Sequence, residues 1–470
     1  MTGRAAVVLA AGQGTRMRSR LPKVLHPLAG KPMLEHVLAS LAEAGVEQQV
    51  VVVGHGAEAV EAALDGRATT VRQEPQKGTA DAVRIGLEQL DPGAQQVVVA
   101  MGDAPLVPAS LFGELLSAQA TGEACMALLA SRPADPSGYG RLVRDAGGSL
   151  QAIVEERDAD ASVLGLGEVN AGTYCFDAGW LRAHIGSVPP SSSGEHYLTD
   201  LVAIAVSGGS TVVVVSSPRA ELAMGINDRA GLADAERILR GEIAERHMRN
   251  GVTIVDPSST FIDVDVQIGE DARIEPWTVL SGATVIGSEA VIGPQAQVLD
   301  SKIGARTVIW SSVVESSVVG EDVQIGPYSH LRPGCEIGAG CRIGNFAELK
   351  MTSVGAGSQI HHFSYLGDAD LGEAVNIGAG TITANFDGTE KHRTTIGDAA
   401  FIGVDTMLRA PVTIGPGART GAGAVVTRDV PAGETVVGMP ARRIATRRRN
   451  SEVATERNSE QGGGKPSSDA

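Results

Sequence analysis

Arg332, Lys350, His362 and Tyr365 lie close together in the second half of the chain. A guanidinium and an ammonium suit a phosphate, and an imidazole can accept a proton near neutral pH. Asn376 and Asn385 follow with amide donors and acceptors. A second set opens the chain, where Gly12-Gln13-Gly14-Thr15-Arg16 precedes Pro22-Lys23. Glycines admit phosphate oxygens to backbone N–H groups, while Arg16 and Lys23 supply a fork and a point charge. A tight strand-to-helix turn with solvated basic groups fits the same residues. Met17 stands where the third glycine of a dinucleotide fingerprint would fall. Asp103, after an apolar run, can hold a divalent cation with Asn227 as a second oxygen donor, or can cap a turn. His330, His361 and His362 admit a competing reading as a three-histidine zinc site.

These residues need elements to position them. At 470 residues the chain can hold two or three domains. Its formal charge of −16 argues against general nucleic-acid binding. Four cysteines without a CxxC pair favour a reducing, cytoplasmic setting. The apolar run 5–11 is too short to cross a membrane. Apolar runs at 5–9, 49–53, 97–100, 125–131 and 211–216, alternating with helical spacing such as 34–44, predict a doubly wound sheet. Its site belongs at the carboxyl ends of the strands. Asp228 and Asn250-Gly251 bracket a linking helix over 228–250, with Leu232, Ala235, Ile238, Leu239 and Ile243 on one face.

From Ile268 the period changes to six, through Ile274, Leu280, Ile286, Ile292 and Val298. Small residues recur four positions after each aliphatic: Ala272, Thr278, Thr284, Ala290 and Ala296. Six is three strand periods, so each hexapeptide forms one face of a prism with its aliphatic inward. Glycine after the aliphatic is expected to allow the turn between faces. Residues about eighteen apart then stack in adjacent coils, as Arg332 and Lys350 do. Residues 384–393 lack the inward aliphatic and leave the prism as a loop, where solenoids tend to build binding faces. From 447 the chain turns basic, then polar and glycine-rich, the composition of a disordered tail.

Leu9-Ala10-Ala11-Gly12-Gln13-Gly14-Thr15-Arg16-Met17 with Leu21-Pro22-Lys23 resembles the signature of sugar-1-phosphate nucleotidyltransferases. Gln73-Glu74-Pro75-Gln76-Lys77-Gly78-Thr79-Ala80, Gly102-Asp103-Ala104-Pro105, Gly138-Tyr139-Gly140-Arg141, Val154-Glu155 and Glu168-Val169-Asn170-Ala171-Gly172 follow in that family's order. The repeats resemble the left-handed β-helix acyltransferases. Leu331-Arg332-Pro333-Gly334, Asn345 to Lys350, His362 to Asp368, Asn376 to Thr381 and Asn385-Phe386-Asp387-Gly388 narrow this. The whole is similar to the bifunctional N-acetylglucosamine-1-phosphate uridyltransferase/glucosamine-1-phosphate acetyltransferases.

The resemblance implies an α/β Rossmann-like nucleotidyltransferase domain (1–227), a linker helix (228–250), a left-handed parallel β-helix of hexapeptide repeats (251–446) and a tail (447–470). It implies UDP-N-acetylglucosamine synthesis from glucosamine 1-phosphate, acetyl-CoA and UTP, with Mg²⁺, by a cytoplasmic homotrimer that does not insert in membranes. His362 would be the base. Arg332, Lys350, Tyr365 and Asn376 would hold glucosamine 1-phosphate, and Ala379, Asn385, Phe386, Val404 and Ala422 acetyl-CoA. Leu9, Ala10, Gly12, Gly14, Thr15, Arg16, Lys23, Gln73, Gly78, Thr79, Gly102, Asp103, Gly140, Glu155, Asn170 and Asn227 would bind UTP and the sugar nucleotide. Asp103 and Asn227 would hold the metal. Phe386 stands where tyrosine is common and Met439 where a basic residue occurs. The alternative is a nucleotidyltransferase whose β-helix only supports or regulates it.

Overall fold

The computed structural model describes residues 3–121, 124–192 and 194–438. The expectations for Met439, for the tail 447–470 and for the last residues of the β-helix span lie outside the described residues.

The first sheet runs in the order Val212–Ser216, Met126–Ser131, Val169–Asp177, Gln96–Met101, Arg4–Ala10, Gln48–Val53, Thr69–Arg72. Ala5, Val7 and Leu9 pack on the helix Thr79–Leu87, whereas Ala6, Val8 and Ala10 pack under Met33–Glu43 and Ala109–Thr121. Both faces are covered, which explains the uninterrupted apolar runs. Only Val169–Asp177 runs antiparallel to its neighbours on this path. The search for apolar runs misses it, because Asn170 and Gly172 interrupt its start, where the register shifts. The chain leaves Arg4–Ala10 towards one side and returns on the other through Gln96–Met101, placing a crevice at their adjoining carboxyl ends.

The linking helix spans Arg229–Arg249, and Asp228 caps it by accepting from the Gly231 N–H at 2.9 Å. Ala235 packs with Leu28, Met33, Leu106, Leu222 and Ile226 of the first half. Ile243 and Ala244 instead join the core of the second half.

That half is a left-handed parallel β-helix whose three faces carry eleven, ten and nine strands among the described residues. Ile274, Ile292, Ile309, Ile325, Ile343 and Ile360 stack in one row, each at most 1% exposed. The small residues Ala272, Thr278, Thr284, Ala290 and Ala296 are fully buried, as their recurrence predicts.

Gly293 and Gly326, with φ of 100° and 107°, take the turning role expected of glycines after the aliphatics, but most of the others have a different one. A Cβ on Gly287, Gly304, Gly320 or Gly338 would sit 2.4–2.8 Å from backbone of the next coil. They permit close stacking of coils rather than turning the chain. The left-handed backbone at corners belongs largely to other residues, among them Asp271, Trp277, Glu289, Tyr328 and Phe346, with φ of 58–62°. Each costs about 1–2 kcal/mol, and the regular hydrogen bonds between coils hold them there.

The expected loop is present. Asn376 pairs with Phe401 across this gap, whereas Gln359 pairs with Asn376 in the coil before it. The excursion folds on a bridge between Phe386 and Lys391. Asp387 accepts from the Thr389 and Glu390 N–H groups at 2.8 Å, and Arg393 ties the loop to Asp370.

Candidate functional site

Two adjoining clefts lie at the carboxyl ends of the sheet. The larger, about 840 Å³, is lined by Leu9, Ala10, Gly12, Lys23, Gln73, Gly78 and Thr79. The smaller, about 230 Å³, is lined by Arg16, Tyr139, Gly140, Glu155, Asn170 and Thr199. Thr79, Asp103 and Asn227 border both.

Gly12 faces open space, since a Cβ there would meet nothing within 4 Å. Gly14 is needed for its backbone, with φ of +59° and room for Lys23, whose Cβ a side chain would meet at 2.7 Å. That approach carries the Lys23 ammonium onto Asp103 Oδ2 and to 3.1 Å from Asn227 Oδ1. Two hard oxygens converging on one cationic nitrogen are the donor set Mg²⁺ takes, phosphates and water completing it. The residues therefore fit the metal. Gln73 is 3% exposed, and its amide nitrogen donates to Gly78 O and Asp81 Oδ2 at 3.0 Å.

In the smaller cleft, burial pushes the Glu155 carboxyl up, while the Thr199 hydroxyl donating at 3.0 Å opposes the shift. Asn170 donates to the buried Tyr174 hydroxyl at 2.7 Å, and its oxygen accepts from the Gly172 N–H. Gly14, Thr15 and Gly102 line neither cleft. Gly14 and Gly102 act from beneath, the latter by bonding its N–H to Leu9 O at 2.9 Å. Sequence reasoning misses Thr199 and Tyr197, a polar run before a helix with no spacing to mark it.

On the β-helix, pairing of His330 with Glu348 and of Leu331 with Leu349 sets Arg332 beside Lys350, as counting predicts. One part of that expectation changes. The Arg332 guanidinium turns to Glu348 at 3.0 Å. The second ammonium facing Lys350 is Lys391, from the loop, and Lys350 beside it holds Lys391 below the ordinary lysine value. Spacing does not point to Lys391, because a loop residue has no register to count.

Asn345 pairs with His362 across adjacent coils, and His362 Nδ1 lies 3.3 Å from Asn345 Oδ1. The amide oxygen can only accept, so Nδ1 donates to it and Nε2 is the ring nitrogen turned away from that bond. Continuing the same pairings places Ala379, Val404 and Ala422 above His362 in one column. The Tyr365 hydroxyl and the Asn385 amide both crowd Gly367, and Asn385 donates to Asp368. Phe386 is 59% exposed on the loop. Asn376 lies in the neighbouring row with Gln359 and Phe401, apart from the Arg332–Lys350 row. The three histidines of the zinc reading take separate partners: His330 meets Glu315 at 2.8 Å, His361 meets Gln359 at 2.9 Å, and His362 meets Asn345. Among the described residues, no three of His, Cys, Asp or Glu gather as a metal would require.

Tyr328, Phe346 and Phe363, each about 60% exposed, form a ridge at the corner beside His362, and the first two rings stack at 5.5 Å.

The model of the MobA-like NTP transferase domain matches residues 6–165, and that of the bacterial transferase hexapeptide (six repeats) matches 316–350 and 393–428. The gap between the hexapeptide matches holds His362 and the loop, where the repeat departs from its unit. The chain is 46% identical over 439 residues to the bifunctional protein GlmU of Geobacillus thermodenitrificans (strain NG80-2), covering 93% of this chain and 96% of that one. The bifunctional protein GlmU of Heliobacterium modesticaldum is 45% identical over 438 residues, with coverage of 93% and 96%. That of Listeria monocytogenes serotype 4a is 44% identical over 432 residues, covering 92% and 94%.

Proposed function

The chain belongs to the family of the bifunctional protein GlmU, and from that premise we propose how its residues divide the synthesis of UDP-N-acetylglucosamine. The β-helix transfers acetyl from acetyl-CoA to glucosamine 1-phosphate. The first half then transfers uridylyl from UTP to N-acetylglucosamine 1-phosphate and releases pyrophosphate.

In acetyl transfer, Lys350, Lys391 and Arg332 hold the sugar phosphate. His362 Nε2 takes a proton from the sugar amine as its nitrogen attacks the thioester carbonyl, and CoA leaves as the thiol. Tyr365, Asn376 and Asn385 orient the sugar and acetyl group. The small column Ala379, Val404 and Ala422 gives CoA a lane along the prism, and Phe386 on the exposed loop joins in holding it.

In uridylyl transfer, Gln73, Gly78 and Thr79 receive uracil and ribose, and Gly140, Glu155 and Asn170 the sugar. Arg16 and Lys23 neutralise the triphosphate. Mg²⁺, held through Asp103 and Asn227, would spread phosphate charge. A sugar-phosphate oxygen attacks the α-phosphorus, and pyrophosphate departs. The observation that carries this reading is that Thr79, Asp103 and Asn227 border both clefts, so nucleotide and sugar phosphate meet there.

The exposed aromatic ridge beside His362 and the open face of its site support assembly of three chains around it. Four buried free cysteines suit the cytoplasm, and no helix among the described residues is long and apolar enough to cross a membrane.

A two-stage assay on the full chain tests the reading. Glucosamine 1-phosphate with acetyl-CoA is expected to release CoA, and later addition of UTP and Mg²⁺ to release pyrophosphate. Equal pyrophosphate release without acetyl-CoA would overturn the order of steps, and absence of CoA would remove the acetyl half.

A further inference from the structure

Arg16 and Lys23 sit on two short 3-10 turns, Thr15–Met17 and Lys23–Leu25. Such turns hold few hydrogen bonds of their own, so something must fix them relative to each other. Arg229, in the first turn of the linking helix, reaches both. Its Nε donates to Met17 O at 3.3 Å, the last carbonyl of the first turn. Its Nη1 lies 3.2 Å from His26 Nδ1. His26 in turn closes the second turn, donating its N–H to Lys23 O at 3.2 Å.

The bond to His26 fixes a tautomer. A guanidinium offers only donors, so His26 Nδ1 must accept and the proton lies on Nε2. That Nε2 is buried without a partner. Nothing at Nε2 accepts that proton, so the donor at Nδ1, Arg229, sets the choice here. Asn227, two residues earlier, faces the Lys23 ammonium. One short stretch, 227–229, therefore touches both turns at their ends. Arg229 lines neither cleft.

We infer that Arg229 is a positioning residue for uridylyl transfer, clasping the Arg16 and Lys23 turns to the base of the linking helix through Met17 O and His26 Nδ1. The inference rests on reading the first site as the UTP site. Arg229 is itself exposed, so its replacement opens no cavity in the core.

The test uses full-length protein with Arg229→Gln and Arg229→Lys. Arg229→Gln is expected to raise the KM for UTP about tenfold, with a smaller change in kcat, because misplaced binding groups cost affinity and alignment. Acetyl transfer by the same chain is expected to stay unchanged. Lysine can reach one acceptor but not both at once, so Arg229→Lys is expected to restore part of the loss. Nitrogen-detected imidazole spectra are expected to show His26 as the single Nε2–H tautomer in the parent and as a mixture in Arg229→Gln. An unchanged KM for UTP with an unchanged His26 tautomer would overturn the clasp, as would acetyl and uridylyl transfer falling together. A parent without UTP-dependent activity would overturn the site reading itself, while the tautomer result would still decide whether the clasp exists.

Discussion

In the first site, groups as distant as Leu9, Asp103, Glu155 and Asn227 meet because strands and helices bring their ends together. In the second, neighbours are set by counting: Arg332 with Lys350 follows one ladder, and Asn345 with His362 and Ala379 under Val404 follow another. Sequence separation is thus no guide to distance in the first half and nearly a ruler in the second. The sites also differ in enclosure. The first lies in clefts between elements, and the second on a prism face with His362 exposed. A clefted site carries its own walls; an open face depends on a loop and, as proposed, on neighbouring chains.

The largest test asks whether the two chemistries separate. His362→Ala is expected to lower acetyl transfer by about 10²–10⁴-fold and to leave uridylyl transfer intact, with CoA and pyrophosphate followed on the same sample. Loss of both would mean the halves are not independent. The converse is Asp103→Asn, expected to lower uridylyl transfer by about 10²–10³-fold and to raise the Mg²⁺ needed, without touching acetyl transfer. An unchanged Mg²⁺ requirement would take Asp103 out of the metal site. Lys391→Ala probes the one place where counting fails. It is expected to raise the KM for glucosamine 1-phosphate roughly tenfold, the scale of one charged hydrogen bond, and an unchanged KM would return the phosphate to Arg332 and Lys350 alone. The smallest effect concerns the frame. Gly320→Ala puts a methyl 2.8 Å from the next coil and is expected to cost about 1–3 kcal/mol, read as a lowered melting temperature with both activities retained at low temperature.

The residues differ in how legible they are. The apolar runs announced the sheet because both its faces are covered, and the six-residue period announced the β-helix because every coil repeats one inward position. Val169–Asp177 stayed hidden because Asn170, Ala171 and Gly172 near its start line the smaller cleft. The glycines were visible but their purpose was not, since a close approach between coils leaves no local pattern. Lys391 was hidden for the opposite reason: it sits outside the repeat, where no ladder transmits position. Asn345 lay in plain view within a recognised motif, yet its bond to His362 needed the exact coil offset.

The linking helix gives part of its inner face to each half, Ala235 to the first and Ile243 and Ala244 to the second. The two activities are therefore expected to separate more cleanly by point substitution than by cutting. A fragment ending before Asp228 would leave Leu28, Met33, Leu222 and Ile226 without their cover. One beginning after Arg249 would leave the first coil uncapped. Chemically the chain is two enzymes; as a folding unit, its halves share a keystone, and each fragment would be prone to aggregate through the surface that keystone leaves behind.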